Sequence, residues 1–192
     1  MESLDHALFL TLNASDEPSR PLVFLASMFA KYVIILLPIH IVLLWLGGNR
    51  RLRSTAVMLV LALIIALSAN YVIGVVAYTP RPFVIGLGNT LIEHRPSPSF
   101  PSNHGTIFFT YTAALALVGA RRLACAVGVM GLIVAWARIY LGVHYPFDMA
   151  GAVLVSLAAA LTAKCAMGRW GDAILHRADA LSAWLSPFTR KV

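Results

Sequence analysis

Two histidines, His104 and His144, stand where apolar runs begin, each close to groups that could tune it. His104 ends the stretch Ser97-Pro-Ser-Phe-Pro-Ser-Asn-His104. Pro98 and Pro101 are excluded from a helix interior but suit its first turn, so a helix is expected to start near Phe100 or Pro101. Ser102, Asn103 and His104 then fall in the first turn, where unpaired amides and the helix dipole favour an anion. A serine and a histidine there make a seat for phosphate with a proton donor attached. Arg138, His144 and Asp148 are spaced six and four apart, and Pro146 opens the helix that carries Asp148 in its first turn. A carboxylate so placed can accept a hydrogen bond from the imidazole, fix its tautomer and leave the other nitrogen free to attack. Arg81 lies between two prolines in Thr79-Pro-Arg-Pro-Phe83, which hold it in extended backbone. Two arginines can grip phosphate oxygens in bidentate fashion, while two histidines supply nucleophile and acid.

The elements that must gather these residues are membrane helices. The chain has 192 residues, 59% of them hydrophobic and 12% charged, and its apolar runs reach spanning length. An all-α, polytopic bundle of about five transmembrane helices follows, in one domain with its core over 21–166 and surface segments at 1–20 and 167–192. The expected spans are Pro21–Leu46, Thr55–Tyr78, Pro101–Gly119, Leu123–Tyr140 and Pro146–Ala166. Residues 2–14 place Leu4, Ala7, Leu8 and Leu12 on one face, as in a short amphipathic surface helix. The basic tail from Met167, with Trp170, Ile174, Leu175, Leu181 and Trp184, is expected to form a second one. Lys31, a third of the way along the first span, either snorkels to the interface or faces inward as a cation near the site. His40, Ser68 and Asn70 are expected to face other helices. Cys125 and Cys165 read as small apolar residues. Residues 1–20 carry four acids and no basic start, unlike a secretory leader.

The net charge of +7 lies in short clusters between apolar runs, a pattern that reports orientation rather than nucleic-acid binding. Five spans put Arg50, Arg51, Arg53, Arg121, Arg122, Lys164, Arg169, Arg177, Arg190 and Lys191 on one side, which the positive-inside rule makes cytoplasmic. Arg81, His104, Arg138 and His144 are then gathered on the outer face.

Thr79-Pro-Arg-Pro-Phe83, Ser99-Phe-Pro-Ser-Asn-His104 and Ala137-Arg-Ile-Tyr-Leu-Gly-Val-His-Tyr-Pro-Phe-Asp148 resemble the three signatures of the type 2 phosphatidic acid phosphatase superfamily. Within it the chain is similar to the bacitracin-resistance branch, the undecaprenyl-diphosphate phosphatases, from about Phe9 to Ala166. The resemblance implies hydrolysis of a polyprenyl diphosphate at the outer face of a bacterial inner membrane, with no metal or other cofactor and through a phosphohistidine. In that scheme Arg81, Ser102 and Arg138, helped by the amide of Asn103, bind the terminal phosphoryl group. His144 attacks phosphorus, Asp148 orients it, His104 protonates the leaving oxygen, and water activated by His144 or His104 releases phosphate. The sequence departs from the family pattern at three places: Gly74 stands where the first signature has a lysine, Asn103 replaces glycine or aspartate, and Ala137 replaces serine. Arg95, or Lys31 if inward, is the expected substitute for the missing lysine. The same motifs would also suit a phosphatase or phosphotransferase for another lipid, such as phosphatidylglycerophosphate or lipid A phosphate. A non-catalytic lipid translocator is the alternative outside the enzyme class.

Overall fold

A computed structural model describes residues 2–185; Arg190 and Lys191, and the side chain of Trp184, lie outside the part described. Seven α-helices follow in order: α1 (Glu2–Leu12), α2 (Arg20–Lys31), α3 (Leu36–Leu46), α4 (Arg50–Val76), α5 (Asn103–Leu117), α6 (Arg121–Tyr140) and α7 (Pro146–Leu185). Among the described residues, four stretches are long and apolar enough to cross a membrane: Arg20–Leu46, Arg50–Val76, Arg121–Tyr140 and Pro146–Ala183. With large apolar side chains such as Leu43, Val76, Leu132 and Leu154 exposed on their flanks, the chain is a multi-pass membrane protein.

The first of these stretches is broken by a 3-10 turn at Val33–Ile35. Pro38, in the first turn of α3, has no N–H to return to Ile34 and its ring crowds the preceding turn, so the regular hydrogen-bond ladder is interrupted between α2 and α3. Asn49 caps α4, its Oδ1 accepting from the Leu52 N–H at 2.8 Å, which starts that helix five residues earlier than the sequence suggests.

Helix α5 has 15 residues, about 22 Å of rise, and is shorter than the expected span at both ends: Ser102, rather than Phe100 or Pro101, opens it, and it stops at Leu117. It sits in the middle, packed against α4, α6 and α7. Small residues permit this: a Cβ on Gly105 would press on Met149 and Ala152, and one on Gly131 of α6 would press on Phe108. Phe108, Tyr111 and Leu115 of α5 meet Leu59 of α4 and Val134 of α6 in the main core. Thr110 donates to Ser156 of α7 at 2.9 Å, and His40 of α3 pairs with the Tyr111 hydroxyl, satisfying polar atoms that lipid cannot. Asn70 is buried as expected, whereas Ser68 is exposed.

At the carboxyl end the expected break before a separate surface helix does not occur. Helix α7 runs unbroken for 40 residues, and its far end is held to the start of α4 by Arg50–Asp172 and Arg53–Asp179. The chain reverses so that α4 and α6 end, and α5 and α7 begin, at the same end of the bundle. The clusters Arg50–Arg53 and Arg121–Arg122 start α4 and α6, and so mark the other end.

Helix α1 forms as expected, and its leucines face outward: Leu4, Leu8 and Leu12 are exposed, and Phe9 is the buried residue. Its protein-facing side is largely polar. The Asp5 carboxylate accepts from the Phe147 N–H at 2.9 Å, capping α7, and His6 stacks on Tyr145 with ring centroids 5.3 Å apart. Asn13 donates to the carbonyls of Asn89 and Tyr140 and accepts from the Asn89 N–H, tying α1 to the 86–92 loop and to the end of α6. Gly142, at φ +81°, lets the same loop pass, since a Cβ there would collide with the Asn89 carbonyl.

Candidate active site

The end of the bundle where α5 and α7 begin gathers Arg81, Ser99, Ser102, His104, Arg138, His144 and Asp148, of which all but His104 are buried. Pro146 starts α7 and turns Asp148 back toward the residue before it. The Asp148 Oδ2 accepts from the Tyr145 N–H at 2.8 Å, from the Ser99 hydroxyl at 2.5 Å and from His144 Nδ1 at 2.9 Å. A carboxylate only accepts, so the Nδ1 of His144 carries the proton and Nε2 carries the lone pair.

That lone pair faces Arg81, whose Nη1 donates to it at 2.9 Å. Arg81 is 4% exposed, and its donors are all engaged: Nε with the Ser97 carbonyl, Nη1 also with the Val143 carbonyl, and Nη2 with the Ser97 hydroxyl and the Pro98 carbonyl. Burial pushes the guanidinium down to about 10, opposed by Asp148, and leaves it charged at neutral pH. Arg138 is 3% exposed; its Nη1 reaches the Ala30 carbonyl at 3.5 Å, and its Nε has no protein partner. Two buried guanidinium ions therefore stand against one buried carboxylate, with an N–H still to be satisfied. Such a surplus is costly unless an anion joins it. Burial, and then Arg81 and Arg138, push His144 well below the ordinary imidazole range, so it rests neutral.

Ser102 caps α5 instead of lying in its first turn: its Oγ accepts from the Gly105 N–H at 3.3 Å, and its own N–H donates to the Asp148 carbonyl at 3.2 Å. Its hydroxyl proton remains available to an anion. Asn103 is exposed, and its Oδ1 accepts from Asn70. His104, in the first turn, lies within electrostatic reach of Arg138, His144, His94 and Arg81. The two expected substitutes for the missing lysine are not drawn into the cluster. Lys31 is exposed, one residue and about 100° around the helix from Ala30, which faces Arg138. Arg95 is exposed, and its carbonyl accepts from His94 and Ser97. Gly74 packs against Pro98, which a Cβ would approach to 3.2 Å, so a side chain here requires Pro98 to give way by a few tenths of an ångström. Gly74 instead helps to line a cavity of about 500 Å³ with Asn70, Tyr71, Ser97, Pro98 and Asn103.

Two residues of the cluster escape sequence reasoning. Ser99 lies within a recognised motif, but nothing in its spacing says that it bonds Asp148. His94 sits in the loop after Arg81, half-buried, with its ring 6.4 Å from that of His144 at 72°. Its only signal was being a histidine between two motifs.

Known proteins place this geometry in a family. A family model described as the PAP2 superfamily matches residues 55–172. The Escherichia coli (strain K12) protein YbjG is 33% identical over 186 residues, covering 96% of this chain and 91% of its own. The undecaprenyl-diphosphatase BcrC of Bacillus subtilis (strain 168) is 29% identical over 154 residues, covering 80% and 79%. Among solved structures, LpxE of Aquifex aeolicus superposes with a TM-score of 0.69 over 83% of this chain and 94% of its own, at 21% identity. With the family's domain matched over more than half its length, the chain belongs to the PAP2 superfamily.

Proposed function

We propose that this phosphatase hydrolyses a polyprenyl diphosphate, undecaprenyl diphosphate in the first place, to the monophosphate and inorganic phosphate at the outer face of a bacterial inner membrane. The observation that carries the reading is the buried line Asp148–His144–Arg81. It presents a neutral, tautomer-fixed imidazole nitrogen to a site with surplus positive charge. The terminal phosphoryl group enters between Nε2 and the two guanidinium ions, taking over Arg81 Nη1 and the free donors of Arg138. Nε2 attacks phosphorus, the bond to the bridging oxygen breaks, and that oxygen leaves with a proton from His104. The new phosphohistidine carries positive charge on its ring, which Asp148 offsets. Water then attacks phosphorus, the P–N bond breaks, and its electron pair returns to Nε2. Positioning and fixed charge supply most of such a barrier reduction. BcrC, named as an undecaprenyl-diphosphatase, supports the substrate, and the basic clusters at the opposite end support the orientation. A pure translocator would have no use for an oriented nucleophile.

The test is phosphate release by purified protein in chelator-containing detergent. Undecaprenyl diphosphate is compared with phosphatidylglycerophosphate and lipid A 1-phosphate, and the assay is repeated with substrate added outside right-side-out vesicles. A kcat/KM at least about tenfold higher for the diphosphate is expected, with turnover outside. Faster turnover of another lipid sinks the substrate, and activity confined to inverted vesicles sinks the orientation.

The pH profile gives a second check. A histidine whose pKa is lowered stays neutral as pH falls, until its own depressed value is reached. The nucleophile of the free enzyme therefore remains competent below pH of about 6.5. The acid limb of kcat/KM is expected below that value, and a limb at the ordinary imidazole pKa would contradict the burial argument.

A further inference from the structure

We infer that His94 is the general base that activates water in the second half of the reaction, a role distinct from those of His104 and His144. The inference rests on the two-step reading above and goes beyond it by separating the acid of the first step from the base of the second.

The geometry of the loop carries it. Nδ1 of His94 lies 2.9 Å from the Arg95 carbonyl, and a carbonyl only accepts, so Nδ1 holds the proton and Nε2 holds a lone pair. The ring stands edge-on to His144 with centroids 6.4 Å apart, and Phe83 flanks it at the same separation. The charged and titratable groups facing it come from three other elements: Arg81 after α4, Arg138 on α6 and His144 in the α6–α7 turn. His104, at the start of α5, is within its field. Both guanidinium ions oppose a proton on His94, as does burial. A neutral imidazole with its lone pair on Nε2 is a poor partner for a phosphate oxygen and a good one for the hydrogen of a water molecule. His104 gives up its proton to the leaving oxygen in the first step, so two free bases border the phosphoenzyme, and His94 is the one whose ring stands edge-on to that of His144.

The step balances without a co-reactant. The water oxygen forms a bond to phosphorus as His94 Nε2 takes one of its protons. The P–N bond to His144 breaks, its electron pair returns to Nε2 of that ring, and hydrogen phosphate departs. His94 then gives its proton to solvent, and His104 recovers one from solvent for the next cycle.

Rapid-quench kinetics on the detergent-purified protein, with undecaprenyl diphosphate labelled in its terminal phosphate, separates the steps. His94→Gln is expected to keep the burst of lipid monophosphate. Its steady-state turnover should fall roughly 10²-fold, with acid-labile, protein-bound phosphate accumulating toward one per chain. In His94→Ala, added imidazole is expected to restore turnover and drain that phosphoenzyme. Wild-type turnover in the glutamine variant, or slower turnover without accumulated phosphoenzyme in a variant that elutes as the wild type does, overturns the assignment. If the wild type releases phosphate without passing label through the protein, the two-step reading itself fails, which is a separate outcome.

Discussion

His144→Ala is expected to lower phosphate release from undecaprenyl diphosphate by at least about 10³-fold, and to remove any protein-bound phosphate after acid quench. The alanine has no atom within reach of phosphorus, and no nearby group is equipped to replace it. His94 has a lone pair, but its Nδ1 proton is committed to a backbone carbonyl and no carboxylate bonds that ring as Asp148 bonds His144. The substitution also leaves Arg81 Nη1 and Asp148 Oδ2 one partner short each, although both keep others. Some loss of stability is therefore expected, and the variant's elution in detergent should be checked alongside its activity. Wild-type-like turnover in a folded His144→Ala protein would remove the nucleophile from the scheme.

Arg81→Lys preserves charge yet is expected to cost roughly 10²- to 10³-fold in kcat. The native guanidinium serves the carbonyls of Ser97, Pro98 and Val143, the Ser97 hydroxyl and His144 Nε2. An ammonium has three donors radiating from one point and cannot match that fork. At least two buried acceptors lose their partner, so the 97–99 segment, which carries Ser99 to Asp148, shifts with them. The loss should fall mainly on kcat, because Arg138 and Ser102 still bind the anion while the nucleophile and phosphorus lose alignment. Steady-state kinetics showing Arg81→Lys within threefold of wild type would mean that the fork is structural only.

The end of the molecule that holds the candidate site was legible in outline because helix ends call for particular residue types. Proline at Pro82 and Pro146 and the four-residue step from His144 to Asp148 each have one local meaning, and the bundle brings them together. The rest depended on packing that no local pattern encodes. In α1 the leucine stripe marked the face that turns away from the protein, but no pattern marked the opposite face, where Asp5, Phe9 and Asn13 meet the bundle. The length of α7 was hidden because a run of basic residues reads as a boundary. Here aspartates at 172 and 179 anchor a continuing helix to Arg50 and Arg53. His94 was missed because its loop has no periodicity, so its place beside His144 follows only from the path of the chain between Arg81 and Ser97. Lys31 was undecided because its place in an apolar run does not say which face meets the bundle; that face carries Ala30, and Lys31 is exposed.

The way α1 is fastened has a consequence for biosynthesis. Helix α1 leaves the ribosome before its partners at Tyr140, Tyr145 and Phe147, so Asp5 must wait through 142 residues before the amide it caps exists. The nascent chain can insert α2 through α6 with its amino terminus undocked. The cluster around His144 is complete only when the start of α7 arrives, and α1, made before the rest of the bundle, is among the last helices to find its place.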